Sequence, residues 1–285
     1  MNIQFNTEGC CLNSRKPNKI MHKYVNIFVK ISDKCQAKCK FCIYHDTDPS
    51  FKFNFTKFKQ TIKKLMEKNI YIHRVSFTGG EPTLNTDLLN KCIHFVKSKS
   101  SYTFVSVNTN GLNAHDVEDA DSLSLSKHHY LEKKIFEIFG CKTINSTNIK
   151  RLQKDKGNVH LSCNIIKGYI DTKQKILNYL EYAASLGVYD VGFVGIMNVN
   201  EYATKHLIDF GGINIESPRL IRNKDWHVKG NICKCSNYLY MPKEGTKVVH
   251  IYYRHRCKHN IDMKSNIVFD GEDLRHNFNG PIIKI

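Results

Sequence analysis

The sequence predicts an α/β protein built on a parallel sheet, and two observations carry this. Between Tyr24 and Ile196, six strand-length runs alternate with segments of helical period, the pattern of repeated βα units. The chemically unusual residues follow the strands, and the carboxyl ends of strands are where such sheets gather their functional groups.

Tyr24–Ile31 (YVNIFVKI) reads as the first strand, and Cys35-Gln-Ala-Lys-Cys39-Lys-Phe-Cys42 follows it. A helix is predicted over 55–68, with Phe58, Ile62, Leu65 and Met66 on one face. Arg74–Phe77 is a short buried strand closed by Thr78-Gly79-Gly80-Glu81-Pro82. Residues 86–98 form a helix whose stripe is Leu89, Cys92, Ile93 and Val96, with Cys92 read as a core residue. Tyr102–Val107 is the third strand and ends in Asn108-Thr109-Asn110-Gly111. After a polar loop or helical turn over 113–120, Asp121–Ser126 is the fourth strand and runs into Lys127-His128-His129-Tyr130. A helix through Leu131, Ile135, Ile138 and Phe139 stops at Gly140, and Ser146–Gln153 is a short extra helix. Val159–Ile166, a helix over 172–186 and Asp190–Ile196 complete the series.

Beyond residue 197 the periodicity weakens. Asn237–Met241 and Val248–Tyr253 read as a hairpin, with Cys233 and Cys235 before it and Cys257 after it. Asn266–Phe269 and the stretch from Leu274 add further β structure. The expected organisation is an N-terminal arm (1–22), an α/β unit (23–199) and a small β-rich C-terminal module (200–285).

Composition narrows the functional classes. A hydrophobic content of 41% supports a core and argues against disorder. The eleven cysteines come without a signal-peptide pattern at Met1–Cys11 and without an apolar run of membrane-span length. The expectation is therefore a cytoplasmic chain whose thiols stay reduced and serve as metal ligands or core residues. The formal charge of +17 is spread over lysine-rich helix faces, so nucleic acid is a possible but not a favoured partner.

Thiols at Cys35, Cys39 and Cys42 can hold three corners of a 4Fe–4S cube and leave the fourth iron open. A zinc site normally gathers four close ligands, and chance core cysteines are improbable at this density. Cys233, Cys235 and Cys257 flank a hairpin that would bring them together, as a second metal site or as reduced thiols.

The triad with Phe41 inside it, Thr78-Gly79-Gly80-Glu81-Pro82 and Thr109-Asn110-Gly111 together resemble the radical S-adenosylmethionine (radical SAM) superfamily over residues 24–197. The layout is similar to the branch holding the molybdenum-cofactor cyclase and the SPASM/twitch enzymes. The resemblance implies a partial (βα)6 TIM-type barrel with a C-terminal twitch-like iron–sulfur module. It implies a 4Fe–4S cluster on Cys35, Cys39 and Cys42, with S-adenosylmethionine on the open iron and cleaved to a 5′-deoxyadenosyl radical. Gly79, Gly80, Glu81 and Pro82 would lie against S-adenosylmethionine, and Phe41 by its adenine. Asn108, Asn110, Ser124 and Ser126 would offer ribose and carboxylate contacts. A second iron–sulfur cluster on Cys233, Cys235 and Cys257 is implied too, a fourth ligand coming from Cys10, Cys11, Cys163 or a histidine if it has one. Catalytic candidates are His128, His129 and Cys163, the last only if it faces the barrel. The expected substrate is a peptide or small natural product, with a nucleotide or sugar as the other possibility, and the electron donor flavodoxin- or ferredoxin-like. The chain ends in Pro281-Ile-Ile-Lys-Ile285 without the cyclase's Gly-Gly tail, which is read as a departure from cyclic pyranopterin synthesis. A non-catalytic iron–sulfur or zinc protein binding RNA has no use for Gly79-Gly80-Glu81-Pro82.

Overall fold

The computed structural model describes residues 24–42, 48, 50–208, 213–222, 236–245, 247–254, 266–276 and 280–285. Cys10, Cys11, Cys233, Cys235 and Cys257 lie outside the described residues.

The element order is β1 (Tyr24–Ser32), α1 (Phe55–Glu67), β2 (Tyr71–Gly79), α2 (Thr86–Lys99), β3 (Phe104–Thr109), β4 (Ser122–Ser126), α3 (Glu132–Phe139), α4 (Ser146–Lys156), β5 (Val159–Ile165), α5 (Lys173–Ser185) and β6 (Asp190–Gly195). Then come α6 (Glu201–His206), β7 (Leu220–Arg222), β8 (Ser236–Tyr240), β9 (Val249–Arg254), β10 (Asn266–Phe269) and β11 (Leu274–Arg275). Asparagine starts most helices: the side chains of Asn54, Asn85, Asn145 and Asn200 each accept a hydrogen bond from a first-turn backbone N–H.

Among the described residues, one sheet of eleven strands organises the chain, in the order β11-β10-β1-β2-β3-β4-β5-β6-β9-β8-β7. β1 to β6 run parallel and in sequence, the βα series expected. Among the described residues, its two outermost strands, β11 and β7, are not paired with each other. The predicted hairpin is β8–β9, and β9 lies parallel to β6. β10 lies parallel to β1, with Asn26 Nδ2 donating to Asn266 Oδ1 at 2.9 Å.

The two faces of the sheet differ. Side chains alternate along each strand, and one set is apolar and wholly buried: Ile27, Val29, Val75, Phe77, Val107, Leu125, Leu161 and Phe193 pack under helix residues such as Phe58, Ile93 and Leu180. The other face is polar. Adjacent strands align Ser76 with Ser106 and Ser122, Asn108 with Ser124 and His160, and Ser126 with Ser162 and Gly192. Most of these side chains are only half buried. A face lined with hydroxyls and amides is not a packed core; it is a wall for water or a polar ligand.

Candidate functional site

The carboxyl edge of β1–β4 carries the predicted motifs. Beyond β1, Asp33 fixes the start of the cysteine loop: its buried carboxylate pairs with Lys30 Nζ at 2.6 Å and accepts from Asp48 N at 3.1 Å. The loop is then stitched to the end of β2. Gly80 N donates to Ser32 O at 2.7 Å and Glu81 N to Lys34 O at 2.8 Å. Glycine is required here by contact. A Cβ on Gly79 would lie 2.3 Å from Ser32 O, and one on Gly80 2.3 Å from Lys34 O. Gly79 also holds φ +121°, a conformation that other residues rarely adopt. The space a Cβ would take at both glycines is filled by the cysteine loop.

Glu81 is buried and occupied. Oε1 accepts from Thr83 N (3.0 Å), Thr83 Oγ1 (2.8 Å) and Thr109 Oγ1 (2.6 Å), while Oε2 accepts from Asn110 N (2.7 Å). The carboxylate thus ties the β2 turn to the β3 turn. Pro82 opens the short helical turn over 82–85 that follows. Asn110 Oδ1 accepts from Leu112 N at 3.2 Å, but its buried Nδ2 has no hydrogen-bond partner among the described residues. A buried orphan donor is costly unless something supplies an acceptor.

The loop's other side rests on a small apolar cluster separate from the main core. Ile135, Ile138, Phe139, Ile166, Ile196 and Ala203 form it, and Ala37, Cys39, Phe41, Cys141 and Tyr169 pack against it. Lys38 N donates to Phe139 O at 2.7 Å. His128 stacks on Phe139 (centroids 4.9 Å) and meets Phe41 edge-on at 5.4 Å. Its Nδ1 accepts from Asn164 N at 3.1 Å, and burial pushes its pKa down to about 3 against an opposing hydrogen bond at Ser162. His129 Nδ1 accepts from Leu131 N at 3.0 Å, and burial, with Lys175 and Lys134 nearby, lowers its pKa to about 4. Both lowered values favour the neutral imidazole near pH 7. His128 is held between Phe139 and Phe41, and His129 lies against Tyr130.

Cys163 departs from its catalytic reading. It shares a face with Leu161 and Ile165 and is fully buried in the helix-side core, where desolvation holds its thiol protonated. Of the predicted polar contacts, Asn108, Ser124 and Ser126 stand on the polar face, while Asn110 sits in the turn beyond β3. A cleft lined by Ile62, Met66, Tyr71 and Lys99 lies instead at the amino end of β2, away from the cysteine loop.

Cys35 is exposed and Cys39 and Cys42 half buried. Desolvation first, then the charges of Glu81, Cys42 and Cys141, raises the Cys35 pKa to about 11. Cys39 is raised further, by desolvation and then by Cys42, Cys35 and Cys141. Thiols that repel one another as anions suit a cationic centre that ionises them together. Among the described residues, no three His, Cys, Asp or Glu side chains converge on a single ion. A four-iron cube takes its thiolates at separate corners and spreads them wider than one ion does. The donor set and the orphaned Asn110 amide therefore fit a cluster with a polar ligand beside it. Two groups escaped the sequence reading: Cys141, and Gln36, whose Oε1 is buried without a partner among the described residues.

Comparison with known proteins agrees with this geometry. Residues 29–131 match the model of the radical SAM superfamily. A GTP 3′,8-cyclase of Limosilactobacillus fermentum is 25% identical over 197 residues, covering 63% of this chain and 55% of that protein. A second GTP 3′,8-cyclase, from Lactiplantibacillus plantarum, is 31% identical over 94 residues, 32% of this chain and 27% of that one. The chain thus spans about half or less of these relatives' length. Among solved structures, Streptococcus suis SuiB bound to its precursor peptide SuiA superposes with a TM-score of 0.56 at 14% identity, over 67% of this chain and 44% of SuiB. That likeness is one of fold. Radical SAM proteins are enzymes that use a 4Fe–4S cluster and S-adenosylmethionine. With the cysteine loop docked on the glycine turn at the carboxyl edge of a parallel sheet, residues 29–131 are similar to the radical SAM superfamily.

Proposed function

We propose that the chain is a radical SAM enzyme acting on a small polar substrate of the nucleotide or sugar class. The observation that carries this is the joining of the cysteine loop to Gly80 and Glu81 through Ser32 O and Lys34 O, at the rim of a polar sheet face. When bound, the cluster and S-adenosylmethionine supply a 5′-deoxyadenosyl radical by one-electron cleavage of the C5′–S bond. The chain's own residues do the rest. Cys35, Cys39 and Cys42 hold three irons. The Asn110 amide offers its free N–H to a carboxylate or ribose oxygen. Phe41, wedged against His128, screens one side of the site from water.

The substrate class shifts to the alternative. The sequence leans toward a peptide or small natural product, with a nucleotide or sugar second, but Ser124, Ser126, Ser162, Asn108 and Asn164 line the sheet face with groups suited to hydroxyls and ring nitrogens. The relatives bearing the name GTP 3′,8-cyclase favour the same choice. A second cluster on Cys233, Cys235 and Cys257 belongs to the proposal, supported by the pairing of Ser236 with Tyr253, which sets the flanks of that group side by side. β9 runs parallel to β6, so Arg254 ends it on the carboxyl edge that also bears the triad. An acidic flavodoxin or ferredoxin, complementary to a chain of net charge +17, would deliver the electron.

The test is anaerobic reconstitution, reduction and incubation with S-adenosylmethionine and candidate nucleotides, sugars and peptides. Formation of 5′-deoxyadenosine, stimulated most by a nucleotide or sugar, is expected. Iron-loaded protein that forms none under any condition refutes the enzyme, and stimulation by peptides alone refutes the substrate class. Iron counts on Cys233→Ala should fall by about one cluster of four irons; an unchanged count removes the second site.

A further inference from the structure

The polar sheet face carries a titratable pair that the chemistry above does not use. His160 and Asp190 stand on neighbouring strands, β5 and β6, with His160 Nδ1 3.3 Å from Asp190 Oδ2. Register sets the pair level with the site. Asn108, at the end of β3, is paired with Ser124, Ser124 with His160, and Asp190 with His250 on β9. A belt of polar residues thus begins beside Thr109-Asn110-Gly111 and crosses β4, β5 and β6 to β9.

The imidazole has a seat of its own. A Cβ on Gly192 would lie 2.9 Å from His160 Nε2, so the ring rests over the backbone of β6 where glycine leaves room. The ring of Tyr252 on β9 stands 6.0 Å away. Asp190 Oδ1 is buried and has no hydrogen-bond partner among the described residues. A carboxylate oxygen withdrawn from water is costly unless a ligand supplies a donor. The carboxylate beside Nδ1 draws the imidazole proton to that nitrogen and leaves Nε2 as an acceptor. The pair therefore offers two acceptors, Nε2 and Oδ1. A vicinal diol offers two adjacent hydroxyl donors.

We propose that His160 and Asp190 bind the vicinal diol of the substrate's sugar, with His160 as the base for one of its hydroxyls. This rests on the nucleotide-or-sugar reading above and deepens it, because it assigns the sugar a place and the reaction a proton acceptor. The step moves a proton only. Once the carbon bearing the hydroxyl has given up its hydrogen atom, the O–H bond breaks and an Nε2–H bond forms. The unpaired electron stays on the substrate, and Asp190 balances the imidazolium charge. No oxidant or reductant takes part.

Diethyl pyrocarbonate labelling of the reconstituted full chain, followed by peptide mass analysis, tests the binding. With S-adenosylmethionine present, a mixture of the common ribonucleoside triphosphates, or one of hexose phosphates, should slow labelling of His160 about tenfold, the factor that one good hydrogen bond gives. The corresponding 2′,3′-dideoxynucleotides should not. S-Adenosylmethionine has a diol of its own, so it is also tested alone. Protection by S-adenosylmethionine alone, equal protection by the dideoxynucleotides, or protection by neither mixture would overturn the proposal. Two variants test the base, using whichever mixture protects. His160→Gln removes it, and Gly192→Ala pushes the ring from its seat while the fold survives, because the ring can turn aside. Both should still form 5′-deoxyadenosine, but His160→Gln should consume about a hundredfold less substrate for each one formed, and Gly192→Ala should fall between it and the wild type. Unchanged ratios in both would overturn the base. If the wild type forms no 5′-deoxyadenosine while the diol still protects His160, the enzyme reading falls and the diol site stands.

Discussion

Glu81 is buried and accepts four hydrogen bonds, and this sets what its replacement does. In Glu81→Gln one oxygen becomes a second donor, facing either the threonine hydroxyls or Asn110 N–H. The expected loss is roughly 1–3 kcal/mol of stability, from leaving a buried donor unpaired. Urea unfolding of the iron-free protein measures it. His128 gives a pH-dependent prediction. Its pKa falls from 6.5 in the unfolded chain to about 3 in the fold. Between those values the unfolded state binds the extra proton, so stability is full above pH 6.5 and declines as pH falls toward 3. Thermal melts at stepped pH should show this decline, and His128→Asn should shrink it, leaving the smaller share owed to His129. The sequence made the triad, the glycine pair and Asn110 visible because each lies in a short, ordered motif. Cys141 was invisible for the opposite reason. A single cysteine far along the chain from the triad carries no spacing signal, and only the packing of α3 sets it on the apolar cluster that Cys39 also touches.

At the scale of elements, the end of β2 positions the cysteine loop. Gly80→Ala places a methyl group against Lys34 O, a backbone atom that cannot rotate away. The loop must shift, so reconstituted Gly80→Ala should hold fewer irons than the wild type while its far-ultraviolet circular dichroism stays unchanged. An unchanged iron count would mean that the loop tolerates the displacement. The long, strongly patterned elements were readable: β1, α1, α2, β5, α5 and β6 follow their hydrophobic periods within a few residues. α4 runs three residues past its expected end at Gln153, because the stop is Gly157, which takes the left-handed conformation at φ 71°. α6 and β7 escaped notice, being too short to show a period.

At the scale of the molecule, the polarity of one sheet face was only half legible. The alternation in Ser122–Ser126 and Val159–Ile165 was plain, but a single strand does not say that its polar residues line up with those of its neighbours. Register does that, and register is a tertiary property. Among the described residues, no helix is long and apolar enough to cross a membrane.

The strands that follow residue 199 flank the six-stranded array on both sides, β10 beside β1 and β9 beside β6. Cutting the chain at residue 199 would therefore strip hydrogen-bond partners from the first strand and the sixth at once. Two naked rows of amides and carbonyls are templates for pairing between molecules. A 23–199 fragment should elute as aggregate in size-exclusion chromatography while the full chain does not. The same arrangement governs biosynthesis: β1 waits for residues 266–269 to emerge before its outer partner exists. The loop that holds the triad hangs from that strand, so the strand it hangs from is framed on both sides only after those residues are made.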